Sequence, residues 1–301
     1  MRSLLSRFRV GYQIALLALV GVIGVFAIAS IDWWGMNRLA ASRAAATRAE
    51  AARVVEMRAQ NELAQARRHE EEFLLHRSPA DAEQQRAAVA ATQQDLAALG
   101  RLVAGQNELD HLVKAMTNDV QTYADQFDTV DRLAVMVGLD ENKGLLGQLR
   151  ESVHAVEDAL KGLKVPDAQI AMLMMRRHEK DFVARLDPQY GAQLKARDAD
   201  FKAAITAATL PDATRKKLVS TMDAYQDTFA EFMDNVLTEN NAAKNLSQLY
   251  AGIEPRLLAA DQRFAAETDA AVHESEQAQS TTERLSATGV GLVIVVVLGF
   301  A

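Results

Sequence analysis

The hydrophobic pattern divides the chain into three zones. Val10 to Ile31 is apolar apart from Tyr12, Gln13 and Ser30. About 20 such residues suffice to cross a bilayer as a helix. At the other end, Gly289 to Ala301 reads GVGLVIVVVLGFA, wholly apolar but too short to span as it stands. Between them, apolar and polar residues mix in a long stretch rich in alanine, leucine, glutamate, glutamine and arginine, all strong helix formers. Turn signals in this stretch are few: Ser78-Pro79, Gly105-Gln106-Asn107, Val165-Pro166-Asp167, Asp187-Pro188 and Leu210-Pro211-Asp212. Two weaker interruptions are Gly138 to Gly144 and Gly252 to Pro255.

The predicted organisation follows. Residues 1–9 form a cytoplasmic N-terminus, 10–31 a first transmembrane helix, 32–288 an extracytoplasmic helical domain, and 289–301 the start of a second transmembrane helix cut short. Arg2, Arg7 and Arg9 precede the first span and no lysine or arginine follows it until Arg38, so the positive-inside rule places the N-terminus in the cytoplasm. Trp33 and Trp34 stand where an aromatic belt marks the outer interface. A cleaved signal peptide ending near Ala27-Ile28-Ala29 is the competing reading of the first span. At about 1.5 Å of rise per residue, the helices between the turn signals alternate up and down and bring both ends to one membrane. The expected fold is all-α: two stacked four-helix bundles sharing two long helices, flanked by transmembrane helices.

An internal repeat is visible. Arg67 to Phe73 reads RRHEEEF and Arg176 to Phe182 reads RRHEKDF. Each is followed by a proline turn and, further on, by a tyrosine and a phenylalanine four apart, Tyr123 with Phe127 and Tyr225 with Phe229. At about 100° per residue, Ala66, His69 and Glu70 lie on the face of Phe73, while Arg67 and Arg68 flank it. Met175, His178, Glu179 and Phe182, flanked by Arg176 and Arg177, repeat the arrangement. A buried carboxylate needs partners. One reading makes His69, Glu70, Phe73, His178, Glu179 and Phe182 a structural repeat held by ion pairs, with local pairs such as Arg68–Glu72 or Arg177–Asp181. The other gives some arginines to a ligand carboxylate, for which the guanidinium fork is suited. Arg53, Arg58, Arg67, Arg68, Arg176, Arg177 and Arg185 are the ligand-binding candidates.

Composition narrows the function classes. The net charge of -7 argues against a general nucleic-acid binder. No cysteine is present, which removes disulfide and thiolate chemistry. Glu151 with His154 makes a single Glu-x-x-His, whereas di-iron bundles need a second copy. Phosphate loops, nucleotide fingerprints and zinc spacings are missing from the sequence. No catalytic residue, metal or cofactor is expected, and the chain reads as a non-enzyme.

The layout, the RRHEKDF stretch, MLMMRRHEKDFVAR at Met172–Arg185, GLLGQLRESVHAVE at Gly144–Glu157 and DAYQDTF at Asp223–Phe229 resemble the helical bimodular sensor domain of bacterial methyl-accepting chemotaxis proteins. The resemblance covers about residues 32 to 288. It implies a homodimeric receptor in the bacterial inner membrane, with a periplasmic sensor binding a small organic acid. It implies a helix shift across the membrane to cytoplasmic signalling partners, through a region beyond this sequence. The sensor region of a histidine kinase or cyclase with the same fold is the alternative, and a membrane-tethered coiled coil without ligand is a third.

Overall fold

In a computed structural model of the chain, residues 10–300 are described, with side chains placed for 15 and 18–295; the predicted cytoplasmic segment 1–9 and Ala301 lie outside the described residues. Seven α-helices and no strand occur among them: α1 (Val10–His76), α2 (Pro79–Leu102), α3 (Asn107–Val137), α4 (Gly144–Leu160), α5 (Pro166–Arg185), α6 (Gln189–Ala207) and α7 (Asp212–Phe300). The protein is all-α. Helix starts follow backbone chemistry. Pro79 and Pro166 open α2 and α5, where the missing N–H is no loss and the fixed φ suits the first turn. The turns before α2 and α6 carry Arg77 and Leu186 in the left-handed region, φ 56° and 54°. Each donates its backbone N–H back to the preceding helix, to Phe73 and Phe182 respectively.

Two of the weak interruptions resolve differently. The Gly138–Gly144 stretch is a full break between α3 and α4. Gly138 and Gly144 both have positive φ, 125° and 56°. A Cβ on Gly138 would run into the Lys143 carbonyl, and one on Gly144 would lie 2.5 Å from the Met136 carbonyl, so only glycine closes this turn. Pro255, by contrast, sits inside α7 without ending it. Its ring removes one helical hydrogen bond. Ala251, whose carbonyl loses its donor, is exposed, so water can take the donor's place.

The chain divides into two compact units. The first draws on the described parts of Met1–Ala59, Asp95–Lys114 and Leu257–Ala301. Ala46, Ala52, Leu96, Leu99, Val113, Ala260 and Phe264 are among its buried residues, several of them alanines that let helices approach closely. Thr282 packs on Gly35 so tightly that a Cβ there would meet its methyl at 2.5 Å. Arg43 donates to Gln279 at 3.0 Å, and Arg263 to Glu108 at 2.9 Å. Towards its N-terminus α1 turns apolar side chains outward: Leu19, Val22, Ile23, Val25 and Phe26 are all more than half exposed. Among the described residues one helix is long and apolar enough to cross a membrane, and it is this N-terminal one. Trp33 and Trp34 follow the outward apolar stretch within α1, both exposed, with the Arg38 guanidinium 5.6 Å from the Trp34 ring centre.

The second unit comprises Gln60–Gln94 and Ala115–Arg256. Aromatic side chains dominate its interior, with Phe73, Tyr123, Phe127, Phe182, Phe201, Tyr225 and Phe229 almost inaccessible to solvent. Each contributes roughly 1.5–3 kcal/mol by leaving water. Here α5 packs along α6, and Phe182 meets Phe229 and Phe232 edge to face at 5.7 and 6.2 Å. Arg77, at the turn after α1, donates to the buried carboxylate of Glu239 on α7.

Burial pushes the Glu239 carboxyl above its ordinary value, while the Arg77 hydrogen bond and charge pull it down. The folded protein therefore holds this proton more tightly than the unfolded chain does. Its contribution to stability is fully present below about pH 4.5 and is lost as pH rises through the elevated folded value. Thermal melts of the parent and of Glu239→Gln across pH 4 to 8 should show the parent's advantage falling as pH rises. A gap that is constant with pH would contradict this.

Candidate functional site

The sequence repeat is a repeat of structure. One offset carries Arg67 to Arg176, Glu70 to Glu179, Phe73 to Phe182, the left-handed Arg77 to Leu186 and Pro79 to Pro188. The first copy ends α1 and opens α2, the second ends α5 and opens α6. Helical spacing puts Glu and Phe of each copy on the apolar face and the leading arginine at its edge.

In the first copy Glu70 is fully buried. Its Oε2 accepts the Tyr123 hydroxyl at 2.6 Å and its Oε1 accepts Arg67. Arg67 also reaches Glu71 at 2.9 Å and lies 5.2 Å from the centre of the Tyr250 ring. Phe73 meets Phe127 edge to face at 5.6 Å. In the second copy Glu179 is 2% exposed. It accepts the Tyr225 hydroxyl at 2.8 Å and Arg176 at 2.9 and 3.0 Å, with the Lys180 ammonium 3.0 Å away. Phe182 on Phe229 completes the match. Each copy of the repeat, both within the second unit, thus carries an Arg–Glu–Tyr cluster roofed by a phenylalanine pair.

The electrostatics follow from this geometry. Burial raises the Glu70 carboxyl above its ordinary range, opposed by the Tyr123 hydroxyl and by Arg67. Burial and the neighbouring carboxylate push both phenols, Tyr123 and Tyr225, far up, so each stays protonated and keeps donating. Burial works against the charge on Arg67, but the Glu70 carboxylate beside it holds its pKa above the ordinary value. Charge-assisted bonds of this kind are about twice as strong as neutral ones.

The other candidate arginines are placed differently. Arg58 grips the carboxylate of Asp95, Nε to Oδ2 2.7 Å. Arg53 is half-buried and makes no ion pair among the described residues, although Glu50 and Glu56 stand one turn to either side of it on α1. Arg68 is exposed, and the pair expected with Glu72 does not form; Glu72 turns to His69 instead, at 3.6 Å. Arg177 does reach Asp181, at 3.8 Å. Arg185 donates to the Tyr190 hydroxyl and stands 3.9 Å from Asp181. His69 and His178 border the buried stripe, and in each Nδ1 is buried without a hydrogen-bond partner. Burial holds the His178 imidazole below its usual pKa, and its ring stacks on Tyr190 at 6.4 Å. Of the seven arginines, Arg53 and Arg58 belong to the first unit and Arg67, Arg68, Arg176, Arg177 and Arg185 to the second. A hollow of about 380 Å³ in the first unit is lined by Gln106, Asn107, Glu108, Arg263 and Glu267.

Sequence reasoning noted the Tyr-x-x-x-Phe pairs but not their hydroxyl bonds to glutamate. The signal was available, since two buried acids and two apolar-face tyrosines occur in the same order. Asp95 as the partner of Arg58, and the buried Glu56, carried no comparable signal.

Replacing Tyr225 by Phe removes a donor from a buried carboxylate and should cost about 1–3 kcal/mol. Adding Glu179→Gln to that variant should cost less than the two single changes together, because the cluster acts as a unit. Chemical denaturation of the four proteins of the cycle checks this, and strict additivity would show that the cluster is not coupled. No family model matches the chain and no curated protein matches it, so the site is read from its own geometry.

Proposed function

We propose that the chain is the ligand-binding sensor region of a transmembrane chemoreceptor, anchored in the bacterial inner membrane with residues 32–288 in the periplasm. In this reading it recognises a small organic acid and passes a helix shift across the membrane. The observation that carries it is the pair of matched Arg–Glu–Tyr clusters, set in the helical interior of the second unit of a chain that also has a membrane-length apolar helix. Charge clusters inside a packed helical core make helix positions sensitive to a new charge, which is what a sensor of anions requires. The finer architecture, four-helix modules sharing long helices in a homodimer, belongs to this reading, as do the cytoplasmic signalling partners.

Arg67 and Arg176 already have carboxylate partners. Binding an anion there would displace Glu70 or Glu179, a large cost. Arg53, half-buried and in no ion pair among the described residues, is the better first contact, on α1 within the first unit. The bidentate guanidinium suits a ligand carboxylate better than a lysine would.

A thermal-shift screen of the chain in detergent against small mono- and dicarboxylates should find acids that raise the midpoint, since a ligand that binds the folded form stabilises it by mass action. Titrating such an acid into Arg53→Ala should show affinity reduced about hundred-fold, with the fold intact by circular dichroism. Arg67→Ala and Arg176→Ala should instead lower the melting midpoint without ligand. If no acid shifts the midpoint, or Arg53→Ala binds like the parent, the reading fails.

A further inference from the structure

The two copies of the repeat differ at one corner, and the difference has the chemistry of a cation site. On α1, His69 and Glu72 lie one helical turn apart, with Nδ1 3.6 Å from Oε2. Asp81, in the first turn of α2, brings its carboxylate to the same place across the Arg77-Ser78 turn. One donor atom from each of the three lies within 4.8 Å of the other two. The His69 side chain is 13% exposed, and its Nδ1 is buried with no hydrogen-bond partner. Glu72 and Asp81 form no ion pair with a lysine or arginine among the described residues, although Arg68 stands one turn before Glu72. Two uncompensated carboxylates thus flank an imidazole nitrogen that lacks a partner of its own.

The second copy holds the comparison. The same offset carries His69 to His178, Glu72 to Asp181 and Asp81 to Tyr190. There the third position supplies an aromatic ring that stacks on the imidazole, and Asp181 lies near both Arg177 and Arg185. The second copy thus has no donor at the third position and pairs the second with arginine. The first has all three donors and lacks the arginine that Arg185 supplies, since His76 stands at that position.

We infer that His69, Glu72 and Asp81 form a site for a divalent transition cation of the zinc class. One imidazole and two carboxylates match the nitrogen and oxygen donors that zinc accepts, at metal–ligand distances of about 2.0–2.2 Å. Tetrahedral ligands at that radius stand about 3.4 Å apart, close to the 3.6 Å between His69 and Glu72. The imidazole selects such an ion over magnesium and calcium, which prefer oxygen alone. Half-exposed Glu72 leaves water a way to the remaining position. The ion pins the first turn of α2 to the last turns of α1, where His69 and Glu72 stand on either side of the buried Glu70 in sequence.

The test uses the untagged, metal-stripped chain in detergent, titrated calorimetrically with Zn²⁺ in excess Mg²⁺. The expected result is one saturable site per chain, with a matching rise in melting midpoint. His69→Gln and Asp81→Asn each weaken it by at least about tenfold, and His178→Gln leaves it unchanged. Should His69→Gln fold poorly by circular dichroism, Asp81→Asn and the visible spectrum of Co²⁺ decide, since four-coordinate cobalt absorbs far more strongly than the aquated ion and that gain in intensity should be lost with Asp81. No saturable uptake, uptake unaffected by Asp81→Asn, or equal loss on His178→Gln overturns the assignment.

Discussion

A carboxylate inside an apolar helical core is the constraint on which the second unit depends. Glu70 and Glu179 are removed from water, and an ionised group there is tolerated only if its lone pairs are met. The solution is the same twice: a tyrosine hydroxyl from the helix opposite and a guanidinium from the turn before. Tyrosine suits the task because its ring joins the core while its hydroxyl reaches the acid. The phenylalanine three residues past each glutamate then closes the cluster from the other side. Sliding either helix by one residue would turn the acid toward solvent and strand the hydroxyl. The cluster therefore sets helix register more sharply than the surrounding leucines and methionines can.

The turns are built to deliver these clusters. Arg77 and Leu186 end their helices in the left-handed region, and Pro79 and Pro188 start the return at the same step. A left-handed non-glycine residue is uncommon, and finding it at the same place in both copies shows that the hairpin geometry, not the individual side chain, is what repeats. Around this frame the two copies diverge. Asp81 faces His69 in one, Tyr190 stacks on His178 in the other, and Arg77 reaches Glu239 where Leu186 cannot. Duplicated scaffolds thus present different polar groups on the same backbone.

The first unit relies on a different economy. Small residues line its helices, and the contact of Thr282 on Gly35 needs the absence of a Cβ. Close approach of this kind gains dispersion contacts rather than large buried areas. It suits helices whose outer faces are apolar, as α1 is over Leu19 to Phe26.

The helical class, most helix ends and the repeat itself were legible in the chain, because they rest on local chemistry: alanine-rich stretches, prolines at first turns, and apolar residues at helical spacing. The face that buries Glu70 with Phe73 was legible for the same reason. Pro255 counted only as a weak interruption and α7 runs through it, whereas the equally weak Gly138–Gly144 stretch is a full break, because two positive-φ glycines close a turn there. Partner choice was not legible either. Arg68 had Glu72 at ideal spacing and does not take it, while Arg58 takes Asp95 from another helix. Spacing along one helix states which pairs are possible, but the pair that forms is decided by what the neighbouring helix brings within about 4 Å. The chain by itself thus determined the helical preference of its segments and a duplicated motif. Only the tertiary structure decided which hydroxyl, guanidinium or imidazole each buried acid meets, because those contacts join residues far apart in sequence.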